Sequence, residues 1–155
     1  MRRFDLRSLH FAEANEVWRR LPVEVDPFAY GGLEYEVPSG AVDLLLTVAR
    51  SGDNLTLRAE FETAVNGPCQ RCLGDAAVTV QVRGIEYVSQ GRWGDEEEAD
   101  EVYVVSSIID VERWARDLIA EQLPPQLVCG DECRGLCAVC GADLNADHAH
   151  RHDEA

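Results

Sequence analysis

The sequence predicts an α+β protein: a mainly antiparallel β-sheet or partial barrel, one amphipathic helix and a C-terminal zinc knuckle. Three observations carry this prediction. Residues 41–49 give a strong strand signal, and apolar residues alternate with polar ones over residues 55–62 and 78–88, as on half-buried strands. They recur with a helical period after Asp110. Four cysteines then fall within twelve residues after Pro124-Pro125, a density typical of zinc knuckles.

The strands are expected to pair as antiparallel neighbours. Residues 41–49 lead through a turn at 51–54 into residues 55–62, and residues 78–88 pair with this hairpin across a loop that holds Cys69 and Cys72. Residues 102–105 form a further short strand. Among the opening residues, 4–9 suggest an edge strand and 12–20 suggest one or two helical turns.

The helix has a start signal, an apolar face and a stop signal. Asp110 is a good N-cap, and Pro124-Pro125 ends the helix because proline lacks the backbone donor and clashes with the preceding turn. The apolar face repeats at i, i+3, i+4, i+7 and i+8. It consists of Val111, Trp114, Ala115, Leu118 and Ile119.

These elements divide the chain into four regions. Residues 1–107 form a mostly β region with the cysteine loop and an acidic linker, and residues 108–124 form the helix. Residues 125–147 form the zinc-binding knuckle, and residues 148–155 form a histidine-rich tail.

Composition and charge exclude several classes of protein. The 155 residues are 46% apolar and 28% charged, which suits one folded domain. The formal net charge is −15, and residues 95–155 contribute −12 of it. A broad basic surface for nucleic acid is therefore disfavoured, and a basic partner is favoured. Because no apolar run approaches about 20 residues and no secretory leader is present, we expect a cytoplasmic protein with no membrane partner.

Six cysteines in a cytosolic chain indicate metal or redox chemistry, because cytosolic thiols stay reduced. Four of them have the spacing C-x3-C-x3-C-x2-C and can surround one tetrahedral zinc ion: Cys129, Cys133, Cys137 and Cys140. Four thiolates leave no open position for water, so this Zn²⁺ would be structural. We therefore predict one zinc ion held by this contiguous set.

Cys69 and Cys72 form a separate C-x2-C pair, for which three interpretations stay open. They can share a metal with Cys137 and Cys140, as in a zinc ribbon, act as a redox dithiol, or pack as small residues. The contiguous set is preferred because its loops close with less chain entropy than one bridging about 65 residues. A redox role is disfavoured because the pair lies between strands and not at the start of a helix.

Three histidines alternate in the tail: His148, His150 and His152. A solvated tail is the simpler interpretation, but an imidazole can replace a cysteine as the fourth ligand. The sequence contains no nucleophile–base pair, glycine-rich phosphate loop or paired carboxylates. We therefore predict that the protein is not an enzyme and has no small-molecule substrate.

The order and spacing of these motifs resemble one family. The loop Cys69-x-Arg71-Cys72-Leu73, a helix ending in Leu-Pro, and the later Gly135-Leu136-Cys137 and Cys140-Gly141 are similar to the YceD family of large ribosomal RNA subunit accumulation proteins. The resemblance covers about residues 40–148. It implies a bacterial, cytoplasmic ribosome biogenesis factor needed for accumulation of 23S rRNA and for large ribosomal subunit assembly, and it implies no enzymatic activity.

Three hypotheses for the mechanism follow. The acidic C-terminal half escorts a basic ribosomal protein, or the chain binds 23S rRNA of the precursor large subunit directly through the loop of Cys69 and Cys72, or those two thiols act in redox chemistry. For RNA, arginine can pair with phosphate and tryptophan can stack on an unpaired base. The candidate RNA contacts are Arg71, Arg83, Arg92 and Trp93.

Overall fold

The computed structural model describes residues 1–11, 15–89 and 103–152. Its elements in chain order are β1 (Arg3–Asp5), a 3-10 turn (Leu6–Ser8), β2 (Glu16–Glu24), β3 (Phe28–Tyr30), β4 (Leu33–Tyr35), β5 (Ala41–Ser51), β6 (Asn54–Pro68), β7 (Asp75–Ser89), β8 (Val104–Val105), β9 (Ile108–Asp110) and α1 (Val111–Gln122). The main sheet has the order β2-β5-β6-β7, and β1-β9-β8 and β3-β4 form two smaller sheets. Every pairing between these strands is antiparallel. The predicted mainly antiparallel fold with one helix is confirmed, and within the described residues the main sheet does not close into a barrel.

The long hairpin of β6 and β7 is the element that presents the cysteine loop. Its register runs from Asn54 opposite Ser89 to Pro68 opposite Asp75, so residues 69–74 form the loop at one end of a two-stranded ladder. Along β6 the buried and exposed residues alternate, because successive side chains of a strand point to opposite faces. The predicted pairing of residues 78–88 with the first hairpin is confirmed.

Helix α1 covers the buried face of the main sheet and contacts both of its outer strands, β2 and β7. All five apolar residues predicted for its inner face are buried, and the Asp110 side chain caps it by accepting from the Arg113 backbone N–H at 3.0 Å. The helix packs closely on β7 at Gly84, where a Cβ atom would overlap the side chain of Leu118. The predicted helix and its buried face are therefore confirmed, although residues 108–110 form strand β9 and the helix ends at Gln122.

For the first 24 residues, one expectation is wrong and one is confirmed only in part. The helical turns expected within residues 12–20 lie partly outside the described residues, and the described part belongs to strand β2, which pairs with β5 from Glu16 opposite Ala49 to Glu24 opposite Ala41. The expected edge strand over residues 4–9 is shorter, since β1 ends at Asp5 and a 3-10 turn follows. Ladder hydrogen bonds and burial of Leu21 and Val23 override the weak local preference.

The hydrophobic core ends before the C-terminal segment. Among the described residues, the buried hydrophobic side chains run from Leu6 to Leu127, and none follows Leu127. Residues 128–152 therefore have no apolar core of their own, although they adopt a defined path with internal hydrogen bonds. No helix among the described residues is both long and apolar enough to cross a membrane.

Candidate metal centre

The loop between β6 and β7 meets the segment that follows the helix. The Gln70 N–H donates to the Leu127 carbonyl at 2.9 Å, and the Leu136 N–H donates to the Arg71 carbonyl at 3.0 Å. Gly135 allows this second contact: its φ is +73°, and a Cβ atom there would lie 2.8 Å from the Arg71 oxygen. The two hydrogen bonds hold the segment across the loop on both sides of Cys129 and Cys133.

Four cysteines come together at this crossing and are here named the four-thiol cluster: Cys69, Cys72, Cys129 and Cys133. Their sulfur atoms all lie within 4.8 Å of one another; Cys69 is 3.8 Å from Cys133, and Cys72 is 3.7 Å from Cys129. A tetrahedron with zinc–sulfur bonds of about 2.3 Å separates its sulfurs by about 3.8 Å. The cluster is therefore positioned to hold one metal ion between the hairpin and the C-terminal segment.

Backbone donors favour the thiolate of Cys69, whereas the pKa values of Cys72 and Cys129 are raised. Burial raises the pKa of the Cys69 thiol, but N–H donation from Cys72, Cys129 and Arg71 outweighs burial and brings the pKa down to about 6. The neighbouring thiols of Cys133, Cys72 and Cys69 raise the pKa of Cys129 to about 12. A metal that binds here displaces the remaining protons, because the thiolate is the ligand form.

A second group lies further along the chain and is here named the Cys-His cluster: Cys137, Cys140, His150 and His152. Its four ligand atoms also lie within 4.8 Å of one another. The Cys137 sulfur is 3.0 Å from Nε2 of His152, and the Cys140 sulfur is 3.3 Å from Nε2 of His150. The backbone N–H of Cys140 and the His152 imidazole lower the pKa of Cys137 to about 5.

The structure groups the cysteines differently from the sequence-based prediction. The contiguous set of Cys129, Cys133, Cys137 and Cys140 is not brought together, because its first two members join the hairpin loop and its last two join the tail. The zinc-ribbon alternative is not formed either, since the partners of Cys69 and Cys72 are Cys129 and Cys133. Of the three tail histidines, His150 and His152 join a cluster, whereas His148 contacts the Arg134 side chain through Nδ1 at 3.1 Å.

The structure describes two of the four candidate RNA contacts, Arg71 and Arg83, and their environments differ. Arg71 donates from Nη1 to the carbonyls of Asp131 and Cys133 at 3.3 and 3.2 Å, so its guanidinium supports the turn of the four-thiol cluster. Arg83 is exposed on β7. Arg92, Trp93 and the acidic segment 95–101 lie outside the described residues.

Two exposed aromatic side chains on the outer face of the main sheet were not identified from the sequence. Trp18 of β2 is 64% exposed and Tyr87 of β7 is 74% exposed. The cross-strand register places both on the face opposite the helix: Trp18 shares a row with Thr47, Arg58 and Ile85, and Tyr87 lies two residues beyond Ile85 on β7. Because Arg19 interrupts the alternation of Val17, Leu21 and Val23, the pattern of residues 12–20 suggests helical turns and does not reveal this face.

The fold and the cysteine geometry define a small antiparallel β protein whose C-terminal segment, lacking an apolar core, is arranged around cysteine and histidine ligands. Residues 57–155 match the family described as large ribosomal RNA subunit accumulation protein YceD, and the chain belongs to this family. The matched region contains all six cysteines and both histidines of the two clusters. The family resemblance inferred from the motifs is thereby confirmed.

Similar proteins occur in mycobacteria and in a plant. Proteins of Mycobacterium tuberculosis and Mycobacterium bovis named as uncharacterized are 34% identical over 128 residues, which is 79% of this chain and 62% of theirs. A Mycobacterium leprae protein is 33% identical over 150 residues, covering 85% of this chain and 69% of its own. A Zea mays protein named chloroplastic large ribosomal RNA subunit accumulation protein YCED homolog 1 is 43% identical over 37 residues, 24% of this chain and 13% of its own. The chain thus spans 62% of the length of the first of these relatives, and no solved structure matches it.

Proposed function

We propose that the chain is a cytoplasmic, non-enzymatic ribosome biogenesis factor that supports accumulation of 23S rRNA during assembly of the large ribosomal subunit. The observation that carries this proposal is the family match over residues 57–155. That match spans most of the β6–β7 hairpin, the helix and both clusters of candidate metal ligands. The plant relative's name points to the same process.

In this proposal the four-thiol cluster holds a structural Zn²⁺. Four thiolates at tetrahedral spacing suit zinc, and a full thiolate shell leaves no position for a reacting water. Cys69 is 0% exposed, which suits a structural ligand better than a dithiol that must meet a substrate. Its nearest thiol partner across the cluster, Cys133, lies 64 residues away in sequence. The bound ion would therefore fix the C-terminal segment to the hairpin, and the redox alternative is disfavoured.

For the partner, we propose a basic ribosomal protein. The net charge of −15, with −12 in residues 95–155, attracts cationic surfaces and repels phosphate backbones. Such an interaction is driven by charge, so its affinity should fall steeply as salt is added. A factor of this kind would shield the basic protein until it is placed on the precursor subunit.

One observation favours direct RNA contact as a second candidate, although not through the loop of Cys69 and Cys72. The outer sheet face carries Trp18 and Tyr87, which can stack on unpaired bases, and Arg83, which can contact phosphate. Two other arginines of this face are already paired, Arg20 with Asp43 at 2.9 Å and Arg58 with Glu16 at 3.2 Å. The face is therefore less basic than its arginines suggest, and the protein partner is the stronger proposal.

The experiment is deletion of the gene in its own host, with measurement of the ratio of 23S to 16S rRNA and of the large-subunit peak on sucrose gradients. The proposal expects both to fall and to recover with the wild-type gene. A variant with Cys69→Ser and Cys72→Ser should fail to restore them, whereas Val139→Ser, a change at an exposed position, should succeed. An unchanged rRNA ratio in the deletion strain would contradict the proposed function.

The partner is tested separately by calorimetry with purified basic ribosomal proteins and with single-stranded rRNA fragments at low and raised salt. We expect binding to a basic protein that weakens with salt and is unaffected by Trp18→Ala with Tyr87→Ala. Binding to RNA that is lost in this double variant would favour the second candidate instead. No binding to any basic protein at low salt would contradict the escort mechanism.

A further inference from the structure

We propose that the Cys-His cluster of Cys137, Cys140, His150 and His152 is a second zinc site, independent of the four-thiol cluster, so that the chain holds two ions. It is also the more labile of the two sites. This inference stands on the geometry of the tail and does not rest on the ribosomal function.

The ligand atoms have the spacing of a compact tetrahedral shell. The two imidazole Nε2 atoms are 3.1 Å apart, and each faces one cysteine sulfur, at 3.0 Å for His152 with Cys137 and at 3.3 Å for His150 with Cys140. Bond lengths of about 2.3 Å to sulfur and about 2.0–2.1 Å to nitrogen place such atoms about 3.3–3.6 Å apart around one zinc ion, so a bound ion would move these atoms apart by about half an ångström or less. Two thiolates and two imidazoles are a common zinc donor set.

The backbone around Cys137 and Cys140 is folded as a zinc knuckle. The Gly141 N–H donates to the Cys137 carbonyl and the Cys137 N–H donates to the Ala142 carbonyl, both at 2.8 Å. The Val139 N–H points at the Cys137 sulfur, 3.4 Å away. Gly141 has φ +74°, which permits the tight turn. These contacts lie within residues 137–142, so the loop that carries both cysteines is held without the histidines.

The tail supplies the two histidines of the Cys-His cluster. The His150 N–H donates to the Asp147 carbonyl, and the Asp147 carboxylate lies 3.9 Å from Nδ1 of His150. Nε2 of His150 therefore faces the cluster, and Nδ1 lies on the side of the Asp147 carboxylate, which is too far away for a direct hydrogen bond. Because no buried apolar side chain follows Leu127 in the described chain, metal coordination is the interaction that can order this segment.

The two clusters are separate in structure and unequal in exposure. They share no ligand. The residues between Cys133 and Cys137 are held by hydrogen bonds from Leu136 to Arg71 and from the Arg134 N–H to the Asn145 side chain, which also donates to the Cys133 sulfur at 3.6 Å. The four-thiol cluster contains one fully buried ligand, Cys69, whereas the Cys-His cluster contains none. Solvent and chelators therefore reach the second ion by local opening of the tail alone.

The test is native mass spectrometry of the full chain without a histidine tag, loaded with Zn²⁺. We expect two ions in the wild type, one in His150→Ala with His152→Ala, and two in the matched control His148→Ala, with unchanged circular dichroism in all three. One ion in the wild type, two in the double variant, or none in the double variant would each overturn the proposal.

A second measurement separates the sites by rate and by ligand type. A thiol-competing chelator should release the wild-type ions in two phases, and the fast phase should be missing in His150→Ala with His152→Ala. Cobalt substituted for zinc should lose part of its thiolate charge-transfer absorption in Cys137→Ser with Cys140→Ser and keep the part that belongs to four thiolates. A single release phase that includes both ions would contradict unequal lability.

Discussion

Helix α1 is positioned by one close contact with the sheet, and this contact can be tested by Gly84→Ala. A Cβ atom at residue 84 would overlap the Leu118 side chain, whose Cδ2, Cδ1 and Cγ atoms are its nearest neighbours. Leu118 is 7% exposed and belongs to the inner face of the helix. The added methyl group must therefore displace the helix or force Leu118 into another rotamer.

The magnitude follows from two opposing contributions. Overpacking a well-filled core costs about 1–3 kcal/mol. Replacing glycine inside a strand by alanine recovers about 0.5–1 kcal/mol of backbone entropy. We therefore expect Gly84→Ala to lower the free energy of unfolding by about 1–2 kcal/mol. In a Leu118→Ala background, itself costing about 2–5 kcal/mol, the same change should be neutral or stabilising because the overlapping atoms are gone.

The assay is urea denaturation of the four proteins of this cycle, followed by tryptophan fluorescence, to which Trp114, 1% exposed in the fold, contributes the buried signal. The coupling energy between the two sites should be about 1–3 kcal/mol. If Gly84→Ala costs the same in both backgrounds, the helix does not pack on β7 at this position and the described docking is wrong.

Three further predictions concern the site and its supports. Gly135→Ala should destabilise the zinc-loaded protein by about 1–2 kcal/mol more than Gly141→Ala, because both have positive φ but only Gly135 faces the Arg71 carbonyl; equal costs in denaturant unfolding would contradict this. Arg71→Ala should lower zinc affinity about 10-fold in chelator competition, through lost support of the Cys133 turn, with Arg83→Ala as an unaffected control. Burial and the Asp117 carboxylate raise the pKa of Tyr103 from 10.0 to about 12, so the stability it contributes is complete below pH 10 and is lost as pH rises through 12; Tyr103→Phe should flatten this loss in alkaline unfolding curves.

The regular elements could be predicted because local patterns decide them. The helix start at Asp110 and its five buried residues follow from capping and period alone, and the β5–β6–β7 pairing follows from alternation and turns. Strand β2 was missed because Arg19 and Arg20 interrupt its alternation. At this edge of the sheet the strand is mostly outside the core, and pairing with β5 determines its conformation.

The grouping of the cysteines could not be predicted, because the entropy argument used the wrong reference state. It assigned the cost of closing a loop of about 65 residues to a site that joins Cys69 and Cys72 with Cys137 and Cys140, and it left Cys129 and Cys133 out of that site. In the folded protein the β6–β7 hairpin and α1 have already brought these ends together, so the metal adds little further loop closure. The positive φ of Gly135 and its contact with Arg71 then turn the chain away, which separates Cys137 from Cys133.

The central claim is that the hairpin loop and the segment after the helix share one metal ion. Its most direct test is NMR of the protein loaded with a magnetically active cadmium isotope, in which scalar coupling connects each metal signal to the β-protons of its own cysteines. We expect one cadmium signal to correlate with Cys69, Cys72, Cys129 and Cys133. A signal shared by Cys129, Cys133, Cys137 and Cys140, with none for Cys69 and Cys72, would contradict the account.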